Sequence, residues 1–224
     1  MENKKNTILL TVIAVATLLV AVVGATFAYF TAQGGTASQA DVVVQTGKAG
    51  SSSLSTFKAI SIYADATNFN QTDKKSQSGE STGTVAWTAP TSTTGSTVSE
   101  ADRSMCYTAT LSITNNTFVY SSTNTAHDAE LTFTAKRNDD VLVENRDITT
   151  EGNNGVATSA KPVEVKIPTT KGGTDYTFKL VPAAGETITD AWTLSVTLVN
   201  LDADQNDNTG KNFAGAVKFT KVSC

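Results

Sequence analysis

Ala191-Trp192-Thr193-Leu194-Ser195-Val196-Thr197-Leu198-Val199-Asn200 alternates large apolar residues with Thr and Ser. Trp192, Leu194, Val196 and Leu198 fall on one side of an extended chain, and Thr193, Ser195 and Thr197 fall on the other. Successive side chains of a strand point to opposite faces, so this alternation describes a strand with one buried and one wet face. The same period of two recurs through the chain. It marks Cys106 to Thr114 by Tyr107, Ala109, Leu111 and Ile113, and a further strand by Leu131, Phe133 and Ala135. Val163, Val165 and Ile167 give another, Tyr176, Phe178 and Leu180 another, and Val217, Phe219 and Val222 the last. Phe57 to Tyr63 and Val85 to Trp87 add two more. No stretch downstream of the N-terminus carries a capped apolar stripe of helical period.

Half-buried strands of this kind form antiparallel sheets that pack face to face. The expectation is an all-β chain, an antiparallel β-sandwich of eight or so strands in a jelly-roll or Ig-like arrangement. Asn70 to Ser81 and Thr91 to Glu100 are rich in Ser, Thr and Gly without apolar periodicity, and they read as long exposed loops. Lys171-Gly172-Gly173-Thr174 reads as a turn between two strands rather than a phosphate loop. No internal repeat or inter-domain linker is visible.

Composition narrows the function. Charged residues are 17% of the 224 and the net charge is −4, with the acids scattered. Nucleic acid requires clustered Lys and Arg to displace phosphate counterions, so it is excluded as a partner. Thr is β-branched and polar, which suits the solvated face of a sheet.

The N-terminus carries the strongest targeting signal. Lys4 and Lys5 precede a run from Ile8 to Val23 that is apolar except at Thr11 and Thr17, and no further charge appears until Asp41. This is the n-region and h-region of a secretory signal, preceding the sandwich as a signal helix. The positive-inside preference places the rest of the chain on the outer side. Thr26 and Ala28 offer small side chains for cleavage between Ala28 and Tyr29. The competing reading is an uncleaved anchor, because Thr7 to Phe30 is long enough to span a membrane. Cleavage divides the chain into a signal peptide over 1–28, an extended segment over 29–54 and a sandwich over 55–224. Removing Glu2, Lys4 and Lys5 from 21 acidic and 17 basic residues leaves 20 and 15, or −5.

Thr26-Phe27-Ala28-Tyr29-Phe30, preceded by Gly24-Ala25, resembles the Gly-x-Thr-Trp/Phe-Ala-x-Phe signature of the camelysin and TasA-like proteins. Those are biofilm matrix fibre subunits of Gram-positive bacteria, cut by a dedicated signal peptidase. The match covers the signal and its cut site, about a tenth of the chain, with Gly24, Thr26, Phe27, Ala28 and Phe30 as the motif positions. Downstream, where many members carry an acidic stretch, this sequence has Asp41 alone before Val42-Val43-Val44. The resemblance implies a secreted subunit whose N-terminus adds as a strand to a neighbour, with Phe30, Val42, Val43 and Val44 as donor residues. The alternative is that Val42 to Val44 form the first strand of their own sandwich.

Catalytic machinery is not legible. Some relatives of the camelysin group are described as metallopeptidases, yet the sequence has one histidine, His127, and lacks His-Glu-x-x-His and Gly-x-Ser-x-Gly. Asp202-Ala203-Asp204-Gln205-Asn206-Asp207-Asn208 begins like a calcium loop, but Asp207 stands where the turn glycine belongs, so a hairpin loop is the favoured reading. Cys106 and Cys224 are the two cysteines; in an exported chain they form a disulfide, pair between subunits, or stay as buried thiols. The expectation is therefore a non-enzyme without cofactor or metal, secreted to the matrix or cell surface. Its partners are a signal peptidase during export and then copies of itself or other surface proteins, with the membrane met only through the N-terminal segment. A tethered surface binding module or adhesin, presenting its Ser/Thr-rich loops, is the alternative.

Overall fold

A computed structural model describes residues 50–55, 57–65, 76–91, 97–153 and 155–224, all within one compact unit. Ten strands run in order: β1 Ser51–Leu54, β2 Ile60–Tyr63, β3 Gln77–Thr88, β4 Met105–Asn116, β5 Leu131–Arg137, β6 Asp140–Asp147, β7 Val163–Lys166, β8 Phe178–Leu180, β9 Thr187–Leu198 and β10 Asn212–Val222. Among the described residues the α-helix α1 Glu100–Arg103 is capped by Ser99, whose hydroxyl accepts from the Asp102 N–H, and Asn206–Asn208 form one 3-10 turn. Sheet I has the order β1-β3-β9-β5-β6, and sheet II the order β2-β10-β4-β7 with β8 also on β4. Every pairing is antiparallel.

The pairings nest. β2 lies beside β10, β3 beside β9, β4 beside β7 and β8, and β5 beside β6. The chain thus runs out through β2 to β5 and returns through β6 to β10, each outgoing strand meeting its returning counterpart. β1 and β2 divide the first edge between the two sheets, β1 joining sheet I and β2 joining sheet II. Ser51–Leu54, grouped with the N-terminal segment on sequence, therefore belongs to the sandwich.

The alternating rows meet in one core. Trp192, Leu194, Val196 and Leu198 of β9 are all buried, as are Tyr107, Ala109, Leu111 and Ile113 of β4. Trp192 packs edge-on to Phe178, with ring centroids 5.1 Å apart, and tilts against Phe219 at 5.4 Å. Offset and edge-to-face contacts of this kind add to the area that the rings bury. The outer rows carry the threonines, and their hydroxyls pair across strands: Ser78 with Thr197 at 2.8 Å and Thr88 with Thr187 at 2.7 Å.

Two expectations are corrected, and one strand is added to those expected. Asn70 to Ser81 is not loop throughout, because β3 begins at Gln77. Its inward row is Gly79, Ser81, Gly83, Val85 and Trp87, so the first half of the strand buries almost no side chain of its own. The register sets Gly83 opposite Trp192 and Gly79 opposite Val196. A Cβ at Gly83 would stand 2.3 Å from Phe57, and one at Gly79 would stand 2.8 Å from Ile60. Neighbouring side chains fill the glycine positions, which removes the apolar alternation that would mark the strand. The second correction is Asp202 to Asn208: the segment joins β9 of sheet I to β10 of sheet II, so it is a crossover and not a hairpin loop. The added strand is β6, which no apolar alternation marks; it follows a two-residue turn at Asn138 (φ 49°) and Asp139 (φ 70°), the doubly left-handed turn that matches strand twist.

Candidate functional site

Two regions concentrate features that folding alone does not require: the strand edges and one loop-bearing end. The edges differ in protection. β6 carries Asp140, Glu144, Arg146 and Asp147, shifts register twice against β5, and holds Asn145 at φ 46°. Charges and bulges of this kind discourage a further strand. β7 and β8 are four and three residues long and are separated by a turn. β2 covers Asn212–Gly215 of β10, and the rest of that edge carries Lys218 and Lys221.

β3 is different. β1 pairs only with Val85–Thr88. Ser55 closes the next step, donating its N–H to the Thr84 carbonyl at 2.9 Å, while the Thr84 N–H donates to the Ser55 hydroxyl. Backbone groups alternate sides along a strand, so Thr82, Glu80 and Ser78 turn their N–H and C=O groups the same way as Thr84. Among the described residues no strand lies alongside them. This edge has one charge, Glu80, no proline, no lysine and no break in register against β9.

At one end, the loops after β4 and β9 are tied to a single buried carboxylate. Glu130 is fully buried and accepts from the Ser121 N–H (2.6 Å) and hydroxyl (2.8 Å), Asn124 Nδ2 (3.0 Å), Gln205 Nε2 (2.9 Å) and Asn208 Nδ2 (2.6 Å). Burial works against the charged form, but the hydrogen bonds outweigh it and hold the Glu130 pKa below its ordinary value. Asn208 also bonds both backbone groups of Val119, and Asp207 accepts from the Ser122 N–H at 2.6 Å. Asn116 Nδ2 donates to the carbonyls of Ile148, Thr149 and Glu151. Tyr120 donates to Asp147 at 2.5 Å, which pushes its pKa up to about 12.

The residues singled out on sequence take these places. His127 is exposed, adopts φ 55° in the turn after Asn124 and stacks on Tyr120 at 4.7 Å. In the Asp202–Asn208 stretch, Asp204 caps the Asn206 N–H, and Gln205 and Asn208 point inward to Glu130. Among the described residues no group of three or more His, Cys, Asp or Glu is placed to hold a metal ion. Cys106 and Cys224 form a disulfide, with Cα atoms 5.2 Å apart, beside the Cys106–Val222 pair of the β4–β10 ladder. The Lys171–Thr174 turn lies between β7 and β8, closed by the Gly173 N–H to the Thr170 carbonyl. Gly24, Thr26, Phe27, Ala28, Tyr29, Phe30 and Val42 to Val44 lie outside the described residues.

Among the described residues the second buried acid is Asp190, on the inward row of β9 ahead of Trp192, where no apolar residue marks the position. It accepts from the Tyr107 hydroxyl and from Asn138 Nδ2 at 2.8 Å, while Arg137 stands 3.9 Å away. Burial, then the bond to Asp190, pushes the Tyr107 pKa up. Tyr107 also accepts from Trp192 Nε1 at 3.2 Å, so this group fastens β4 to β9 across the core. No family model, curated protein or solved structure matches the chain.

Proposed function

We propose that this chain is an exported, non-catalytic structural subunit of the cell surface or matrix, which assembles when the N-terminal segment of one copy adds as a strand to another. The nested strand order supports the jelly-roll form of the sandwich over the Ig-like one. The observation that carries the assembly reading is the edge of β3 from Ser78 to Gly83, along which no described strand lies and where Glu80 is the one charge. The signal-like N-terminus and the resemblance of Gly24 to Phe30 to the TasA-like cleavage signature supply the donor and the export route.

Two half-defective chains test this. Thr82→Pro removes a donor on the open side of β3, where an edge strand tolerates proline, and should leave the monomer folded. A chain starting at residue 50 keeps the edge and lacks the donor. The expected result is that the chain starting at Tyr29 forms fibres in electron micrographs and that neither variant does. An equimolar mixture of the variants should stop at a heterodimer in sedimentation. Fibres from either variant alone would refute strand addition at β3.

A second reading, a tethered surface binder, is favoured by the loop end pinned to Glu130, since rigid loops suit recognition. An intact Met1 start on the protein recovered from cells would select it.

A further inference from the structure

On the side of the sandwich away from β1 and β2, the two sheets part around an open cavity of ≈370 Å³. β6 of sheet I supplies Leu142, Val143, Glu144 and Arg146, while sheet II supplies Lys166 at the end of β7, Pro168 and the turn through Lys171 to Tyr176. The volume falls at the small end of the ~300–1,000 Å³ range in which proteins hold small ligands. Its floor is apolar and its rim is not.

The rim runs against the charge of the whole. The lining carries Arg146, Lys166 and Lys171 against the carboxylate of Glu144 alone, in a chain of net charge −4. Lys171 is paired with Glu144, and Arg146 lies 3.4 Å from Glu151, outside the lining. Lys166 has no carboxylate within ion-pair distance among the described residues; its ammonium sits over the Tyr176 ring, 5.6 Å from the centroid. A cation held over an aromatic face keeps its charge available to an incoming anion. The mouth is unobstructed at Gly172, where an added Cβ would meet nothing within 4 Å.

We propose that this cleft binds a sugar acid, a pyranose bearing a carboxylate. The carboxylate pairs with Lys166 and Arg146. The C–H face of the ring lies on Pro168, Leu142 and the Tyr176 edge, and the hydroxyls donate to Glu144. Charge complementarity selects the anion, and the apolar floor selects a ligand with a ring over a bare ion. The site is independent of the β3 edge, on the opposite side of sheet I.

Titration calorimetry on the chain starting at Tyr29, at low salt, with glucuronate, glucose and inorganic phosphate as separate probes, tests this. Glucuronate should bind, glucose should bind at least tenfold more weakly, and phosphate should fail to displace glucuronate at equal concentration. Lys166→Gln should weaken glucuronate about tenfold with an unchanged melting temperature, and Lys221→Gln, on β10, should leave binding as it was. Equal affinity for glucose and glucuronate, displacement by equimolar phosphate, or full binding by Lys166→Gln would overturn the proposal. Because Lys166→Gln leaves the β3 edge and the N-terminal segment intact, its fibres should form normally, so failure here is distinct from failure of assembly.

Discussion

Reducing the Cys106–Cys224 bond should lower the unfolding free energy by about 5 kcal/mol, the largest single effect expected in this molecule. The two residues are 118 apart in sequence, so the bridge closes a long loop and removes much of the freedom of the unfolded chain. In the folded state the bond forces nothing into place. Val222 already pairs with Cys106 in the β4–β10 ladder, and the Cα separation of 5.2 Å is ordinary for a disulfide. β10 also carries Phe213 and Val217 of the core, so losing its end exposes the middle of sheet II. The check is urea unfolding of oxidised and reduced protein at one pH. A fall in thermal midpoint of roughly 10–20 °C would accompany the expected loss in a domain of this size. A difference below about 1 kcal/mol would mean that the ladder holds the C-terminal strand without help.

Glu130→Ala should cost about 3–5 kcal/mol, comparable to breaking a buried ion pair. The substitution leaves five donors from Ser121, Asn124, Gln205 and Asn208 without an acceptor in a site closed to water. Glu130→Gln keeps one acceptor oxygen but turns an amide against those donors, and should cost roughly half as much. The pH dependence follows from the same geometry. The folded-state pKa of Glu130 lies below the ordinary value of 4.5, so its stabilisation is complete above that value. It is lost as pH falls through the depressed folded value. Wild-type stability should therefore fall steeply below pH 4.5, and the fall should be shallower in Glu130→Gln. Parallel acid-unfolding curves for the two proteins would assign the acid sensitivity elsewhere.

How much of this was legible in the sequence depended on what each strand buries. β4 and β9 alternate large apolar residues with Thr and Ser over most of their length, so their faces could be read directly. β3 hid its first half because Gly79 and Gly83 receive the side chains of Ile60 and Phe57 instead of supplying their own. β6 hid because it is a bulged edge strand, with only Leu142 and Val143 buried. The Asn138-Asp139 pair between Arg137 and Asp140 was the local signal for its hairpin. The Glu130 knot could not be read at all. Glu130 sits in a polar string beside His127, and two of its partners lie 75 and 78 residues away. A buried carboxylate with distant amide partners has no periodicity; only the fold brings them together.

Strand addition at β3 can be followed by amide hydrogen exchange with mass readout on dispersed and assembled protein. Assembly should slow exchange in the peptide spanning Ser78 to Gly83, where Glu80 and Thr82 turn their N–H groups to the side that no described strand covers, and leave β6 unchanged. Unchanged exchange over Ser78 to Gly83 in the assembled protein, with new protection at β6 or β7 instead, would contradict it.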